Sequence, residues 1–169
     1  MITNRECEAV ERVQARGLET VVVPWTRGTT PEDWSEPVWD RIEAADATLV
    51  CNCGFLRLLV VPPAWEGRIM NVHPALLPKY GGKGMYGDHV HRAVIEAHDV
   101  ESGCTIHFVT SEYDAGPVIL QRRCPVEPGD TVDTLAARVF EQECEAYPEA
   151  VRLFFEGRLS IEGGKVFIS

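Results

Sequence analysis

In Met70-Asn71-Val72-His73-Pro74-Ala75-Leu76-Leu77-Pro78, a short apolar strand ends and the chain continues as a proline-rich loop. We expect the strand to cover residues 68–72. Side chains alternate along a strand, so Asn71 and His73 face one side while the valine between them faces the core. Pro74 has no N–H to donate, which ends the ladder and places the polar pair at the C-terminal edge of the sheet, where α/β folds bind ligands.

The Asn71/His73 pair has two interpretations when it is considered alone. An amide donor beside a titratable imidazole suits catalysis at a ligand-binding edge of a sheet. In the other interpretation, His73 is a buried histidine bound to a backbone carbonyl, and Asn71 serves the turn that follows. These two residues leave both interpretations open.

Composition indicates one globular domain over residues 1–169, long enough to bury about 70% of its unfolded surface without disulfides or metal. The net charge of -10 argues against a nucleic-acid or anionic-membrane partner. The six cysteines are scattered, and we interpret them as small core residues in a reducing compartment. With no leader pattern and no apolar run of about 18 residues, we expect a cytoplasmic protein.

Strand and helix patterns alternate along the first half of the chain. A helix that follows Asn4 stops at Gly17, and the β-branched run 18–23 is typical of a parallel strand. Thr30 caps a second helix that reaches about residue 45, and Pro37 is expected to split or kink it. Another buried strand follows at 47–51.

The second half predicts a change in strand direction. A helix over 88–97 follows a glycine-rich loop, and then strands 103–110 and 117–126 are joined by six residues, too few for a parallel crossover. Asp130 and Thr131 are expected to cap a long helix that reaches about Phe155 and is interrupted at Pro148, and a terminal hairpin follows it. The expected fold class is therefore α/β, with a mostly parallel sheet and an antiparallel part near the C-terminus.

Three segments in order, 71–80, 103–109 and 114–121, closely resemble the folate-dependent formyltransferases. They contain Asn71-Val72-His73-Pro74 and Tyr113-Asp114-Ala115-Gly116, which match the family's catalytic motifs. Among these enzymes, the chain is most similar to the members that formylate glycinamide ribonucleotide in purine synthesis. The resemblance implies a three-layer Rossmann-like formyltransferase fold, 10-formyltetrahydrofolate as the formyl donor, and no metal.

The resemblance also implies the roles of the catalytic residues Asn71, His73 and Asp114. Formyl transfer passes through a tetrahedral carbon that carries an oxyanion, and the Asn71 amide and a protonated His73 are suited to stabilise it. An isolated imidazole is mostly neutral at pH 7, so Asp114 is expected to hold the cation and to order the water that relays protons. Asn71 and Asp114 are also expected to contact the folate.

The segment Leu56, Arg57, Leu58 and Leu59 matches the part of the family that holds the pterin. An apolar slot with backbone donors at its edge suits a flat heterocycle, whereas plain core packing is the alternative for the leucines. We interpret His107 and Cys104 as packing residues in an alternating strand. No third ligand accompanies His89 and His91, so no metal site is predicted.

One departure from the family concerns the start of the chain. Relatives open with a strand and a Gly/Ser/Asn-rich turn that cradles the substrate phosphate, so we expect an N-terminally truncated domain that lacks its first βαβ unit. The alternatives to glycinamide ribonucleotide formylation are a formyltetrahydrofolate deformylase, another amine or sugar formyltransferase, and a non-catalytic folate-binding homologue. A small-molecule substrate and a monomer or homodimer are expected.

Overall fold

The computed structural model describes residues 1–169, and the chain divides into two compact units. The first unit contains residues 1–48 and 57–60, and the second contains residues 49–56 and 61–169. The expectation that residues 1–169 form one formyltransferase domain lacking a first βαβ unit stays a prediction.

The first unit consists of two parallel strands and two helices. Ile2 pairs with Val21 and Thr3 with Val22, so the strand–helix–strand order closes as a parallel pair. This confirms the pattern read from the β-branched run, although the second strand is shorter than expected. Its elements are β1 (Ile2–Thr3), α1 (Glu8–Gln14), β2 (Val21–Val22) and α2 (Pro31–Ala44).

Helix α2 begins as the sequence predicts and continues unbroken through Pro37. The Thr30 hydroxyl accepts a hydrogen bond from Asp33 N, and the Asp33 carboxylate accepts one in return from Thr30 N, which is a capping box. The helix survives an internal proline because its inner face is held elsewhere: Trp34 Nε1 donates to Val23 O and Trp39 Nε1 donates to Val60 O, each at 2.7 Å.

The second unit contains a four-stranded sheet in the order β3-β4-β5-β6. Strands β3 and β4 are parallel, whereas β5 is antiparallel to both β4 and β6, which confirms the predicted change of direction toward the C-terminus. A 3-10 turn at Pro63–Trp65 precedes β4. The elements are β3 (Val50–Asn52), β4 (Ile69–His73), α3 (Asp88–Glu96), β5 (Glu101–Phe108), β6 (Val118–Pro125), α4 (Val132–Phe155) and the hairpin β7 (Leu159–Glu162) and β8 (Lys165–Ile168).

Helix α4 packs against β5 and β6, and it is continuous across Pro148. The predicted interruption at Pro148 is therefore wrong. The helix continues because five apolar side chains, before and after the proline, are buried against the sheet. Their burial offsets the loss of the backbone hydrogen bond that proline cannot make. These side chains are Leu135, Val139, Ala146, Ala150 and Leu153.

The cysteines only partly follow the expectation of core packing. Cys104 and Cys124 are buried in the core of the second unit, together with Met70, Ile106 and Phe108. The other four are exposed, so the core interpretation is wrong for them: Cys7, Cys51, Cys53 and Cys144.

None of the helices has both the length and the apolar character needed to cross a bilayer.

Candidate active site

Strand β4 places the Asn71 and His73 side chains on one face of the sheet, as the alternation predicts. In the antiparallel register, Asn71 lies opposite His107 and His73 lies opposite Thr105 on β5. Asn71 Nδ2 is 3.2 Å from His107 Nε2. The candidate site therefore has a second histidine that the sequence interpretation assigned to packing.

His107 is 2% exposed, and each of its ring nitrogens has a defined partner. Nδ1 lies 2.8 Å from Phe108 O, so it carries the hydrogen and donates it to that carbonyl. Nε2 is then free to accept a hydrogen bond from the Asn71 amide. Burial lowers the pKa of His107, which favours this neutral ring. The second amide hydrogen of Asn71 is left without a protein partner.

Asp114 reaches this face because the loop after β5 folds back on itself. Phe108 N donates to Pro117 O at 2.9 Å, which closes the loop. Gly116 is required at this closure, since a Cβ atom there would lie 1.8 Å from Phe108 O. The closed loop brings Asp114 Oδ2 to 3.5 Å from His73 Nδ1 and Asp114 Oδ1 to 3.7 Å from His107 Nε2.

His73 is 3% exposed and has an oxygen acceptor next to each ring nitrogen. Nε2 donates to Tyr80 O at 2.7 Å, and Nδ1 faces the Asp114 carboxylate. A doubly protonated imidazole satisfies both acceptors, because both of its nitrogens are donors. The two interpretations of His73 are thus combined in one arrangement, in which a buried histidine is bound to a backbone carbonyl and also lies beside a carboxylate.

The two residues that contact the His73 ring nitrogens, Tyr80 and Asp114, have left-handed backbone conformations. The φ angle is 58° at Tyr80 and 54° at Asp114. Such a conformation costs a non-glycine residue roughly 1 to 3 kcal/mol and persists only where neighbouring contacts enforce it, most often at functional sites. One such contact joins the two segments, since Gly82 N donates to Asp114 Oδ2 at 2.9 Å.

The residues expected to hold a pterin have different environments. Leu56, in the second unit, is 53% exposed. In the first unit, the Arg57 guanidinium lies 5.1 Å from the centre of the Trp25 ring, while Leu59 is 4% exposed and packs as a core residue. A role for Leu56, Arg57, Leu58 and Leu59 in binding a pterin stays a prediction.

A cavity of about 470 Å³ lies beside Asp114. Its walls are mostly apolar and include Leu77, Pro78 and Val118, with Lys165 contributed by the terminal hairpin.

No group of three or more His, Cys, Asp or Glu side chains is arranged to hold a metal ion. The expectation that catalysis needs no metal stays a prediction.

Comparison with known proteins places this arrangement in a family. The family model described as formyl transferase matches residues 2–151. The chain belongs to the formyl transferase family. The solved structure of glycinamide ribonucleotide transformylase 1 from Symbiobacterium toebii has a TM-score of 0.90 at 37% identity, covering 99% of this chain and 78% of that one. This shared formyltransferase fold confirms the predicted fold class.

Curated formyl transferases support the same membership. The chain is 38% identical over 156 residues to phosphoribosylglycinamide formyltransferase from Escherichia coli K12, covering 90% of this chain and 70% of the relative. It is 38% identical over 164 residues to the chloroplastic phosphoribosylglycinamide formyltransferase of Arabidopsis thaliana, covering 94% of this chain. The chain spans 56% of that plant relative's length.

Proposed function

We propose that this formyl transferase moves a formyl group from 10-formyltetrahydrofolate to the amine of glycinamide ribonucleotide. The names of its relatives support glycinamide ribonucleotide as the acceptor, and the resemblance to the folate-dependent formyltransferases supports 10-formyltetrahydrofolate as the donor. The observation that carries the proposal is the cluster formed by Asn71 and His73 on one face of β4 and by Asp114 on the loop after β5. An amide donor, an imidazole and a carboxylate are the groups that this transfer needs. Asn71, His73 and Asp114 are proposed as the catalytic residues.

The reaction develops negative charge on the formyl oxygen. The substrate amine attacks the formyl carbon, the carbonyl oxygen becomes an oxyanion, and the bond from carbon to N10 of the folate then breaks. Asn71 offers one free amide hydrogen to this oxygen, and a doubly protonated His73 next to it contributes positive charge. Donors held in place before the reaction stabilise such an oxyanion without reorganising.

Proton transfer is the proposed task of Asp114. The attacking amine must lose a proton and N10 must gain one as it leaves, so a carboxylate that binds the relaying water serves both steps. The Asp114 side chain is 12% exposed. Gly82 N donates to its Oδ2, while its Oδ1 lies 3.7 Å from His107 Nε2, on the face of the sheet that carries Asn71 and His73. Asn71 and Asp114 are also proposed to contact the folate.

The remaining features of the proposal concern the donor segment, cellular location and assembly. Leu56, Arg57, Leu58 and Leu59 are proposed to hold the pterin and its linker by backbone and side-chain contacts. A cytoplasmic location and a monomeric or homodimeric state are proposed for this chain, with no nucleic acid or membrane as partner.

The purified chain tests the proposal when it is incubated with 10-formyltetrahydrofolate and glycinamide ribonucleotide. Loss of the donor is followed by absorbance, and the formylated nucleotide is identified by mass spectrometry. Asp114→Asn keeps the shape of the side chain but removes its charge, and we expect kcat to fall by about 100-fold to 10,000-fold. Asp133→Asn, an exposed acid on α4, is the matched control and should retain wild-type kcat.

Two results would contradict the proposal. Donor loss at the same rate without the nucleotide, with free formate as the product, would show the deformylase reaction instead. Equal rates in Asp114→Asn and Asp133→Asn would show that the cluster is not the active site.

A further inference from the structure

We propose that Asp99 is a positioning residue for His73 and acts through Tyr80. This inference rests on the proposed function, because it concerns the imidazole assigned to formyl transfer. Asp99 lies between the end of α3 and the start of β5, and it is 19 residues from Tyr80 along the chain. No motif in the sequence connects it with the Asn71, His73 and Asp114 cluster.

Asp99 binds two consecutive residues of the loop that follows β4. Lys79 Nζ donates to both carboxylate oxygens at 2.7 and 2.6 Å, and the Tyr80 hydroxyl donates to Oδ2 at 2.8 Å. Hydrogen bonds from Lys79 and Tyr80 lower the pKa of Asp99, so its carboxylate stays charged near neutral pH. Lys79 Nζ also lies 5.0 Å from the centre of the Tyr80 ring. The Tyr80 hydroxyl thus links the Tyr80 side chain directly to Asp99, whereas the Lys79 side chain is mostly exposed.

Tyr80 is held at two ends that have different roles. Its hydroxyl binds Asp99, while its carbonyl oxygen accepts the Nε2 hydrogen of His73 at 2.7 Å. The residue between these two bonds has a φ of 58°, a conformation that a tyrosine does not keep unless its surroundings enforce it. The Asp99 hydrogen bond supplies part of that enforcement from outside the loop.

The Tyr80 carbonyl determines how the His73 ring is oriented. Because the carbonyl takes the hydrogen on Nε2, any further proton must sit on Nδ1, which faces the Asp114 carboxylate. If Tyr80 relaxed to a right-handed backbone conformation, its carbonyl would turn away and the ring would lose the partner that fixes it. Asp99 therefore helps to set the position of the His73 ring, and which of its nitrogens donates to the Tyr80 carbonyl, without contacting His73.

A purely structural role for Asp99 predicts a different pattern of effects. The Lys79 side chain is 60% exposed, and an ion pair of that kind contributes little to stability. If the pair only tied α3 to the loop, removal of Lys79 or of the Tyr80 hydroxyl would have the same small effect. Positioning through Tyr80 predicts instead that loss of the hydroxyl resembles loss of the carboxylate.

The test compares Asp99→Asn and Tyr80→Phe with wild type, using formyl-transfer kinetics and the ring ¹⁵N chemical shifts of His73. We expect kcat to fall by about 10-fold to 100-fold in both variants, because a small displacement of a catalytic group has an effect of this size. KM for both substrates should stay within about twofold, since neither side chain is proposed to bind substrate. The His73 ¹⁵N shifts should move in both variants, because Nε2 loses the carbonyl oxygen that accepts its hydrogen.

Asp130→Asn is the matched control, because it breaks another ion pair, between Asp130 and Arg138 at 2.6 Å, at the start of α4. It should lower the melting temperature but leave the His73 shifts and kcat unchanged. Lys79→Met should retain most of the activity. Circular dichroism identifies any variant that does not fold, and Tyr80→Phe tests the same link while keeping the Asp99–Lys79 pair.

Unchanged His73 shifts in both folded variants, with kcat equal to that of Asp130→Asn, would overturn the proposal. The His73 ¹⁵N shifts test the positioning role of Asp99 even if the protein has no formyl-transfer activity. If wild type transfers no formyl group while Asp99→Asn and Tyr80→Phe still move the His73 shifts, the proposed function fails and the positioning role of Asp99 stands.

Discussion

Asn71 donates a hydrogen bond from its side-chain amide to His107 Nε2, 3.2 Å away on the adjacent antiparallel strand. The direction of this bond follows from the other side of the ring, where Nδ1 donates to Phe108 O. An asparagine amide can rotate by half a turn, which exchanges its donor and acceptor ends. His107 accepts only from the NH₂ end, so it fixes which end of Asn71 faces the site.

Replacing His107 by phenylalanine tests this orientation. His107→Phe keeps a flat ring of similar size but removes the acceptor for Asn71 and the donor to Phe108 O. We expect kcat for formyl transfer to fall by about 10-fold to 100-fold, because the oxyanion donor is no longer held in one orientation. Steady-state kinetics with saturating substrates measures the change.

His89→Phe is the control for His107→Phe, since it makes the same substitution at an exposed position in the first turn of α3. It should retain wild-type kcat. If the two variants were equally active, His107 would be a packing residue, as its alternating strand first indicated.

Part of this site could be predicted from the sequence, and the pairing of strands explains which part could not. Alternation within one strand placed Asn71 and His73 on the same face, and this needs no knowledge of neighbouring strands. The contact between Asn71 and His107 depends on the register of two strands separated by 36 positions. Residue patterns in a single chain do not define that register, so His107 was missed.

Errors in the predicted helices have a similar physical origin. Pro148 was expected to interrupt α4, because proline removes a backbone hydrogen bond. The structure shows that burial of the helix face on β5 and β6 outweighs this local effect. The cap at Thr131 was predicted correctly, since its partner Thr134 lies within the same turn. Features that depend on neighbouring residues in the chain could be predicted, whereas features that depend on tertiary packing could not.

A methyl group at Gly116 should disrupt the loop that carries Asp114. The added Cβ would meet Phe108 O at 1.8 Å, and a backbone oxygen within a strand has little room to move. We expect Gly116→Ala to lower the free energy of unfolding by about 3 kcal/mol or more and to reduce kcat, because overpacking displaces the loop. Urea unfolding and formyl-transfer kinetics measure the two effects.

Gly81→Ala is the comparison for Gly116→Ala, because its Cβ would approach the end of a flexible side chain, Leu77 Cδ2, at 2.6 Å. A change of rotamer at Leu77 relieves this contact, so the loss should be about 1 kcal/mol. Equal losses in the two variants would show that the crossing of the Gly116 backbone over Phe108 does not hold the Asp114 loop.

The stability of the protein should depend on pH through Glu143, an acidic residue on α4. Burial raises the pKa of Glu143 to about 7 from an ordinary value of 4.5. As pH rises above about 4.5, this carboxyl ionises in the unfolded chain but stays protonated in the native state, so the native state loses relative stability until pH reaches about 7. The full effect is at most about 3 kcal/mol.

Glu143→Gln removes this titration and keeps a side chain of similar shape. The free energy of unfolding of the variant, measured by urea denaturation, should therefore gain on that of wild type between about pH 4.5 and 7 and stay at a constant difference above it. Glu141→Gln, which changes an exposed carboxyl on the same helix, should follow wild type across this range. Parallel pH profiles for wild type and Glu143→Gln would mean that Glu143 ionises in the native state as easily as in the unfolded chain, and that its burial imposes no penalty on the charge.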